Sequence, residues 1–499
     1  MDDFASALDA ARAQEDLGVS FVDGRYIPGI HDPSFIKSHP GNGDSILDTR
    51  FSTAKTIFDA LSTAKHTYSR RVWRNVTPAE KRAVLLRFAT AIKQNAHRLA
   101  TLDSLEMGKT ISDATQDAHI SAALITYYAE SIDKWFSRKA VTASNSLAYN
   151  TFEPRGVIGA IVPWNYPTCN AALKIGPSLA AGNSIVVKPS EHAYLSTLLL
   201  AELAHESGVP PGVFNVVTGT GETSGQQIAS STLCNMITFT GSHATGKRIM
   251  GYSAASNGKP MLMECGGKNA SIVMPDMKDD IESLAERIVA ESFANQGQLC
   301  VASSRLLVHR DVAANMTEAL CSAVRTRVPG SPLDPSSTFG TIVNGRERDR
   351  IVARIALAKE HGARCLVDPS HEVIERPGSY LNPVIFDRVD PDSDLAQVEV
   401  FGPVLAITQF NDVDKAISIA NGTEYGLSAA VWTNDFKAIK RFASELNVGK
   451  LQIRADPTST STHGFSLGSE PMGASGFGVE FGMDALNSYS RLMSVELAG

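Results

Sequence analysis

Long apolar runs are missing from this sequence. The richest stretch, Val157 to Leu173, is broken by Pro163, Asn165, Pro167 and Asn170, so no bilayer-spanning helix is expected. Dense basic runs are missing too. The net charge is −7 and the pI about 6.0, a balance that points away from nucleic acid and from anionic membranes. Cysteine is scarce, six in 499 residues, at 169, 234, 265, 300, 321 and 365. No pair has C-x-x-C spacing, no nearby His completes a zinc pattern, and no metal is expected. Six thiols in so long a chain do not form a disulfide framework. The expectation is a cytoplasmic protein with reduced, mostly buried thiols. The opening MDDFASALDAARAQEDLG carries Asp2, Asp3, Glu15 and Asp16 and no basic-then-apolar pattern, so neither a secretory nor a transit leader is expected. Tandem repeats and low-complexity linkers are also lacking, although DPTSTSTHGFSLGS (456–469) is polar and loop-like.

What is present is an ordinary globular composition, 43% hydrophobic and 20% charged. The length calls for at least two domains. Residues from about 53 to 135 have apolar positions at helical spacing. The rhythm then changes. Val157–Val162, Ser184–Val187, Val213–Val217, Met236–Thr240 and Met261–Met263 read as short buried strands. Thr168–Ala181, Leu195–Glu206, Glu222–Ser230 and Ala244–Ala255 read as the helices between them. Five alternations predict a doubly wound parallel sheet. A second alternating series follows, with helices near 280–293, 313–327 and 346–361. Its strands are expected at Arg305–His309, Val404–Phe410, Ala429–Thr433 and Lys450–Ile453. The fold class is therefore α/β, with two doubly wound parallel-sheet domains.

Open parallel sheets bind ligands beyond the carboxyl ends of their strands. The unusual residues of the first series fall there: Pro163-Trp164-Asn165-Tyr166-Pro167, Lys188-Pro189-Ser190-Glu191, Gly219-Thr220-Gly221, Gly241-Ser242 and Glu264-Cys265-Gly266-Gly267-Lys268. Gly241 to Gly246 opens a helix after a strand, where free N–H groups and the helix dipole suit a phosphate; a plain tight turn is the alternative. Lys188 with Glu191 suits ribose hydroxyls, and the carboxylate would repel a 2′-phosphate; a surface ion pair is the other reading. Cys300, in Phe293-Ala294-Asn295-Gln296-Gly297-Gln298-Leu299-Cys300, follows a helix and a Gly turn, where a thiolate could meet a substrate. Lone cysteines are more often structural. Glu264, an acid ending an apolar strand, could have a raised pKa and act as a base, or simply serve a turn.

Taken together, PWNYP (163–167), LAAGNSIVVKPSE (179–191), FTGSHATGK (239–247), MECGGK (263–268), NQGQLC (295–300), EVFGPV (399–404) and GLSAAVWT (426–433) resemble the aldehyde dehydrogenase superfamily in order and spacing. The resemblance covers nearly the whole chain. It implies NAD-dependent oxidation of an aldehyde to a carboxylic acid, with NADP less favoured. Cys300 would attack the aldehyde as a thiolate, and a thioester would follow hydride transfer. The Asn165 amide and the Cys300 N–H would form the oxyanion hole. Glu264 would activate the hydrolytic water. Lys174 matches a lysine near the oxyanion site, and Glu480 an acid that relays protons from the base. Lys188 and Glu191 would hold the adenosine ribose, Ser242 and Trp164 the pyrophosphate, Glu399 and Phe401 the nicotinamide ribose and ring. Val162, Pro163, Ser190, Gly221, Gly225, Phe239, Gly241, Gly246, Cys265 and Gly266 would line the same groove.

The implied architecture is a cofactor domain (1–137 and 157–265), a catalytic domain (266–483) and a small β oligomerisation flap (138–156 and 484–499). The tail strand would extend a neighbouring subunit's sheet in a homodimer or homotetramer. The partners expected are a small aldehyde and a second copy of the chain. Two departures concern the substrate tunnel. Arg454 stands where the family usually has Asn, and Pro471-Met472-Gly473-Ala474-Ser475-Gly476 is about three residues shorter than the usual segment. Among subgroups, YYAESIDKW (127–135) and FVDGRYIPG (21–29) look most like bacterial enzymes that oxidise ω-aminoaldehydes. Tyr166, Leu299 and Val301 would line the tunnel. Asp117 would face a substrate ammonium or be a solvated helix-face acid. Arg454 would suit a substrate carboxylate, so a γ-glutamylated aminoaldehyde would satisfy both charges. Three other readings stay open: a CoA-acylating enzyme, which normally lacks the Glu264 base; a dinucleotide binder without turnover; and a thiol esterase, which would need no nicotinamide groove.

Overall fold

Polar signals start the helices of the first third of the chain. Thr77 caps Pro78–Gln94, Glu80 returns a bond to the Thr77 N–H, and Pro78 sets the first turn. Thr53 and Thr110 cap Ala54–Ser69 and Ile111–Ser131 through their hydroxyls. The computed structural model describes residues 2–30, 35–143, 145–368, 377–459 and 465–498. Residues 460–464, within the expected polar loop, lie outside the described residues. Among those described, no helix is long and apolar enough to cross a membrane.

The helix Ala54–Ser69 packs on the strands Val157–Ile161 and Ser184–Lys188. Pro78–Gln94, Ala96–Met107 and Ile111–Ser131 pack on Pro167–Ala180 and Leu195–Glu206, over the opposite face of the same sheet. The sheet beneath has eight strands. Its parallel centre runs Phe214–Val216, Ser184–Lys188, Val157–Ile161, Met236–Thr240, Met261–Glu264, so in chain order the five are arranged 3-2-1-4-5. Burial on both faces explains their continuous apolar sequences. The order reverses between Val157–Ile161 and Met236–Thr240, and the crevice at such a reversal is where open sheets bind ligands. The five expected alternations are therefore present.

The second sheet has seven strands: Arg364–Val367, Val384–Asp387, Val404–Phe410, Arg305–His309, Ala270–Val273, Ser428–Trp432 and Lys450–Arg454. All neighbouring pairs are parallel except the first. A third sheet pairs Ser490–Ala498 antiparallel with Ser146–Pro154, with Arg138–Lys139 on the far side. This is the β flap, and Leu492 and Leu497 on its tail strand are more than half exposed.

Two expectations need correction, and one sheet edge was not expected. The segment 266–483 is not separate from the cofactor sheet: Gly476–Phe477 pairs antiparallel with Met263 and Glu264, and the Cys265 N–H donates to the Ser475 carbonyl at 2.8 Å. The end of the nominal catalytic segment thus completes the cofactor sheet. A two-residue strand has no periodicity by which sequence could reveal it. The expected helix Glu222–Ser230 starts as a wide five-residue turn at Gly221–Gly225 before becoming α-helical at Gln226. Finally, an antiparallel hairpin, Ser20–Val22 with Arg25–Ile27, closes the other sheet edge, turning through Asp23 and Gly24, both at positive φ.

Candidate active site

Cys300 is carried by a loop whose backbone is held in an unusual shape. Asn295, Gln296 and Gly297 have φ of 49°, 58° and 69°, three successive left-handed residues. The strain is held in place by neighbours. Asn295 Nδ2 donates to the Asn165 carbonyl at 2.9 Å, and Asn165 Nδ2 donates back to the Gln298 carbonyl at 3.0 Å. Gln298 Nε2 reaches the Thr341 carbonyl at 3.2 Å, and its Oε1 accepts the Val343 N–H at 3.0 Å. A Cβ on Gly297 would overlap the Gly402 carbonyl. The strand-end loop of the first domain and the Cys300 loop of the second are thereby bonded to each other. Asn165 keeps a second amide hydrogen uncommitted within this lattice. Leu299 and Val301 flank the thiol, Val301 exposed. Cys300 itself keeps a partly exposed surface. Burial, and then the carboxylates of Glu264 and Glu399, push its thiol up to about 12, against two backbone N–H groups, those of Val301 and Cys300, that favour the thiolate.

Glu264 is the last residue of Met261–Glu264, so the strand aims it at the rim. Burial pushes it up to about 7, with Lys174 opposing. Lys174 is fully buried on Pro167–Ala180 and is lowered to about 8 by burial, against the nearby anions Glu264, Cys300 and Cys265. Its Nζ forms an ion pair with Glu480, itself buried. The antiparallel bridge between Ser469 and Glu480 fixes that acid's position. The helix that carries Lys174 starts just after Asn165 and Tyr166. Tyr166 offers it no side-chain cap; instead Asp103, buried, accepts from Thr168 N at 3.3 Å and Thr168 Oγ1 at 2.7 Å.

Most of the expected dinucleotide residues lie at or just after the carboxyl ends of the parallel strands, on both sides of the reversal of strand order. Val162 continues the first strand by donating to the Lys188 carbonyl at 3.1 Å, and Pro163 and Trp164 follow. Lys188 Nζ lies 3.3 Å from Glu191 Oε2, the lysine buried and the acid one-quarter exposed. Ser190 accepts the His192 N–H at 3.2 Å and bridges to Ala193. Ser242 caps His243–Ala254 by accepting the Thr245 N–H at 3.3 Å. Gly241 packs so closely on Phe239 that a Cβ would sit 2.6 Å from its ring, and one on Gly246 would sit 3.0 Å from Cys265 Sγ. Gly221 and Gly225 face open space. From the other domain, Glu399 Oε1 accepts the Gly267 N–H at 3.0 Å and occupies the place a Cβ on Gly266 would fill. Phe401, at φ 54°, presents its ring edge-on to Trp164 at 5.6 Å between centroids. Glycines clearing space at a helix start, a buried cation with a carboxylate, and aromatic rings meeting across the cleft fit a dinucleotide.

Two expected substrate residues are placed otherwise. Asp117 is buried and ion-paired with the fully buried Lys109, whose ammonium sits over the Tyr166 ring 3.2 Å from its centroid. An acid already neutralised inside the protein is not a free receptor for a substrate ammonium. Arg454 donates to Glu291 Oε1 at 2.5 Å and Gln452 Oε1 at 2.9 Å, with its guanidinium 4.9 Å from the Trp432 ring centroid. Its charge is likewise engaged. Sequence reasoning missed Lys109, Asp103 and Asn269. Lys109 follows the helix-ending Gly108 with no flanking pattern, and Asn269 hides one residue beyond a recognised motif.

With this geometry in place, the class of protein is defined. The family model described as "Aldehyde dehydrogenase family" matches residues 29–495, and the chain belongs to that family. Among individual relatives, the aminoacetaldehyde dehydrogenase of Pseudomonas aeruginosa is 36% identical over 435 residues, 87% of each chain. The NADP/NAD-dependent aldehyde dehydrogenase PuuC of Escherichia coli is 37% identical over 434 residues, again 87% of each. Among solved structures, gamma-glutamyl-gamma-aminobutyraldehyde dehydrogenase from Burkholderia cenocepacia superposes with a TM-score of 0.93 at 37% identity over 99% of both chains. An indole-3-acetaldehyde dehydrogenase with bound NAD+ does so with 0.93 at 34% identity over 99% of both. The expected family and fold class are confirmed.

Proposed function

We propose that this enzyme oxidises an aldehyde to its carboxylic acid with NAD, using Cys300 as nucleophile and Glu264 as base. One observation carries the assignment: Cys300 stands on a loop bonded through Asn165 to the rim of the parallel sheet, where Glu264 ends a buried strand and Lys174 is buried on the helix that follows Asn165. The bound dinucleotide supplies the hydride acceptor. The chain's own residues do the rest. Cys300 Sγ forms a bond to the aldehyde carbon, and its proton passes to a base. Glu264, with a pKa near 7, suits that role and later takes a proton from the water that attacks the thioester. The free Asn165 amide hydrogen and the Cys300 N–H are the donors available to the oxygen that becomes negative. Lys174 and Glu480 give the proton on Glu264 a buried polar path. Lys188 and Glu191 hold the ribose hydroxyls, and the Glu191 charge favours NAD over NADP. Tyr166, Leu299 and Val301 face the substrate.

The relatives named for aminoacetaldehyde and for gamma-glutamyl-gamma-aminobutyraldehyde support an ω-amino or γ-glutamylated aldehyde as substrate. Asp117 and Arg454, both internally paired, are not the residues that read its charges. The test is NADH formation with 4-aminobutanal, succinic semialdehyde and an aliphatic aldehyde, in wild type and Cys300→Ala. Turnover that vanishes in the variant and favours 4-aminobutanal is expected. A strong preference for the aliphatic aldehyde sinks the substrate assignment. Binding of NAD without turnover of any aldehyde would make the protein a dinucleotide binder instead.

A further inference from the structure

Asn269 is buried at 3% exposure, immediately before the strand Ala270–Val273. Its amide is committed in three directions. Nδ2 donates to the Cys300 carbonyl at 2.7 Å and the Ala302 carbonyl at 3.0 Å, and Oδ1 accepts the Ser428 N–H at 3.0 Å. One side chain thus ties the nucleophile loop to the end of a strand and to that strand's neighbour. Two donors and an acceptor at such short reach are a property of Asn alone: Asp has no donor when ionised, Ser has one, and Gln is a methylene longer.

The bond to Cys300 has a chemical consequence. A peptide unit is planar and rigid, so fixing the Cys300 carbonyl also fixes the direction of the Val301 N–H on the opposite side of the same unit. That N–H is one of the two backbone donors that favour the Cys300 thiolate, in a site where burial and two carboxylates all oppose it.

We infer that Asn269 is a positioning residue for the nucleophile: its amide locks the Cys300–Val301 peptide and so fixes the Val301 N–H beside Sγ, where its partial positive charge favours the thiolate. The inference rests on Cys300 being the nucleophile. The Asn269 amide is committed to backbone groups on all three sides and acts through them.

The test uses the full chain and reads alkylation of Cys300 by iodoacetamide against pH, following the Cys300 peptide by mass spectrometry so that the other cysteines do not interfere. Asn269→Ala removes all three bonds. Asn269→Asp keeps the shape and the acceptor for Ser428 but turns oxygen toward two carbonyls. In both, Cys300 alkylation near neutral pH falls about 10-fold or more, equivalent to a rise of about one unit in thiol pKa. Affinity for NAD, read by fluorescence titration, stays within about twofold. Asn269→Ser, which keeps one donor, lies in between and serves if the other two fail to fold. Folded variants that alkylate at the wild-type rate overturn the inference. Failure of the nucleophile assignment looks different: Cys300→Ala would then retain turnover, whatever Asn269 does.

Discussion

Glu264 ends a buried strand, and its surroundings decide its charge. Burial raises it to about 7, with the Lys174 ammonium in opposition. Two outcomes follow. Glu264→Gln should slow the first release of NADH in rapid mixing and should lower steady-state turnover by about 10²–10⁴-fold. A variant with full steady-state rate and an unchanged first release would remove Glu264 from the role of base. The second outcome is a sign. A carboxyl whose folded pKa lies above its unfolded value stabilises the fold below the unfolded pKa, and that contribution is lost as pH rises through the folded pKa. The melting temperature of Glu264→Gln relative to wild type should therefore increase between about pH 5 and pH 8. Beside it, Lys174 and Glu480 are buried together. Lys174→Met leaves Glu480 without its partner and should cost about 3–5 kcal/mol in thermal or urea unfolding, most of which Lys174→Met with Glu480→Gln should restore. At this scale the sequence marks Cys300, Glu264 and Asn165 as candidates because each sits in a distinctive string. It read poorly for Asp117 and Arg454. A carboxylate or guanidinium has the same letter whether it faces a ligand or an internal partner, and only Lys109 and Glu291, distant or unremarkable in sequence, show which.

The loop before Cys300 departs from regular structure at three successive residues, Asn295, Gln296 and Gly297. Gly297 sits at φ 69° with no room for a Cβ. Gly297→Ala should lower stability by about 1–3 kcal/mol. It should also slow Cys300 alkylation, since the loop must shift to clear the Gly402 carbonyl. An unchanged melting temperature and alkylation rate would show that the loop is not held as described. The strands beside it were legible because a parallel sheet buried on both faces demands unbroken apolar runs. The helix Pro167–Ala180 was also expected, but not its cap, because Asp103 reaches Thr168 from a different helix. The wide turn at Gly221–Gly225 and the strand Gly476–Phe477 were not legible. Each is too short for a period and is decided by the backbone it meets.

For the molecule as a whole, the flap leaves one long edge open. The strand Ser490–Ala498 pairs along nine residues with Ser146–Pro154, while its outward residues, Leu492 and Leu497 among them, are more than half exposed. An unprotected edge with exposed leucines is a place for another strand or another copy to add. Removing residues 490–498 should convert the protein to a monomer in light scattering while leaving the cofactor groove able to bind NAD. A monomeric wild type would refute a role for this edge in assembly. Sequence alone determined the alternation of strands and helices, hence the two doubly wound sheets, and the family to which the chain belongs, because those features are written in local strings with local physical causes. Tertiary structure alone decided which charges are free, which residue clamps the Cys300 peptide, and that the chain's last third returns to finish the first sheet. Those depend on which distant segments become neighbours, and a buried polar group declares its role only through the partner that satisfies it.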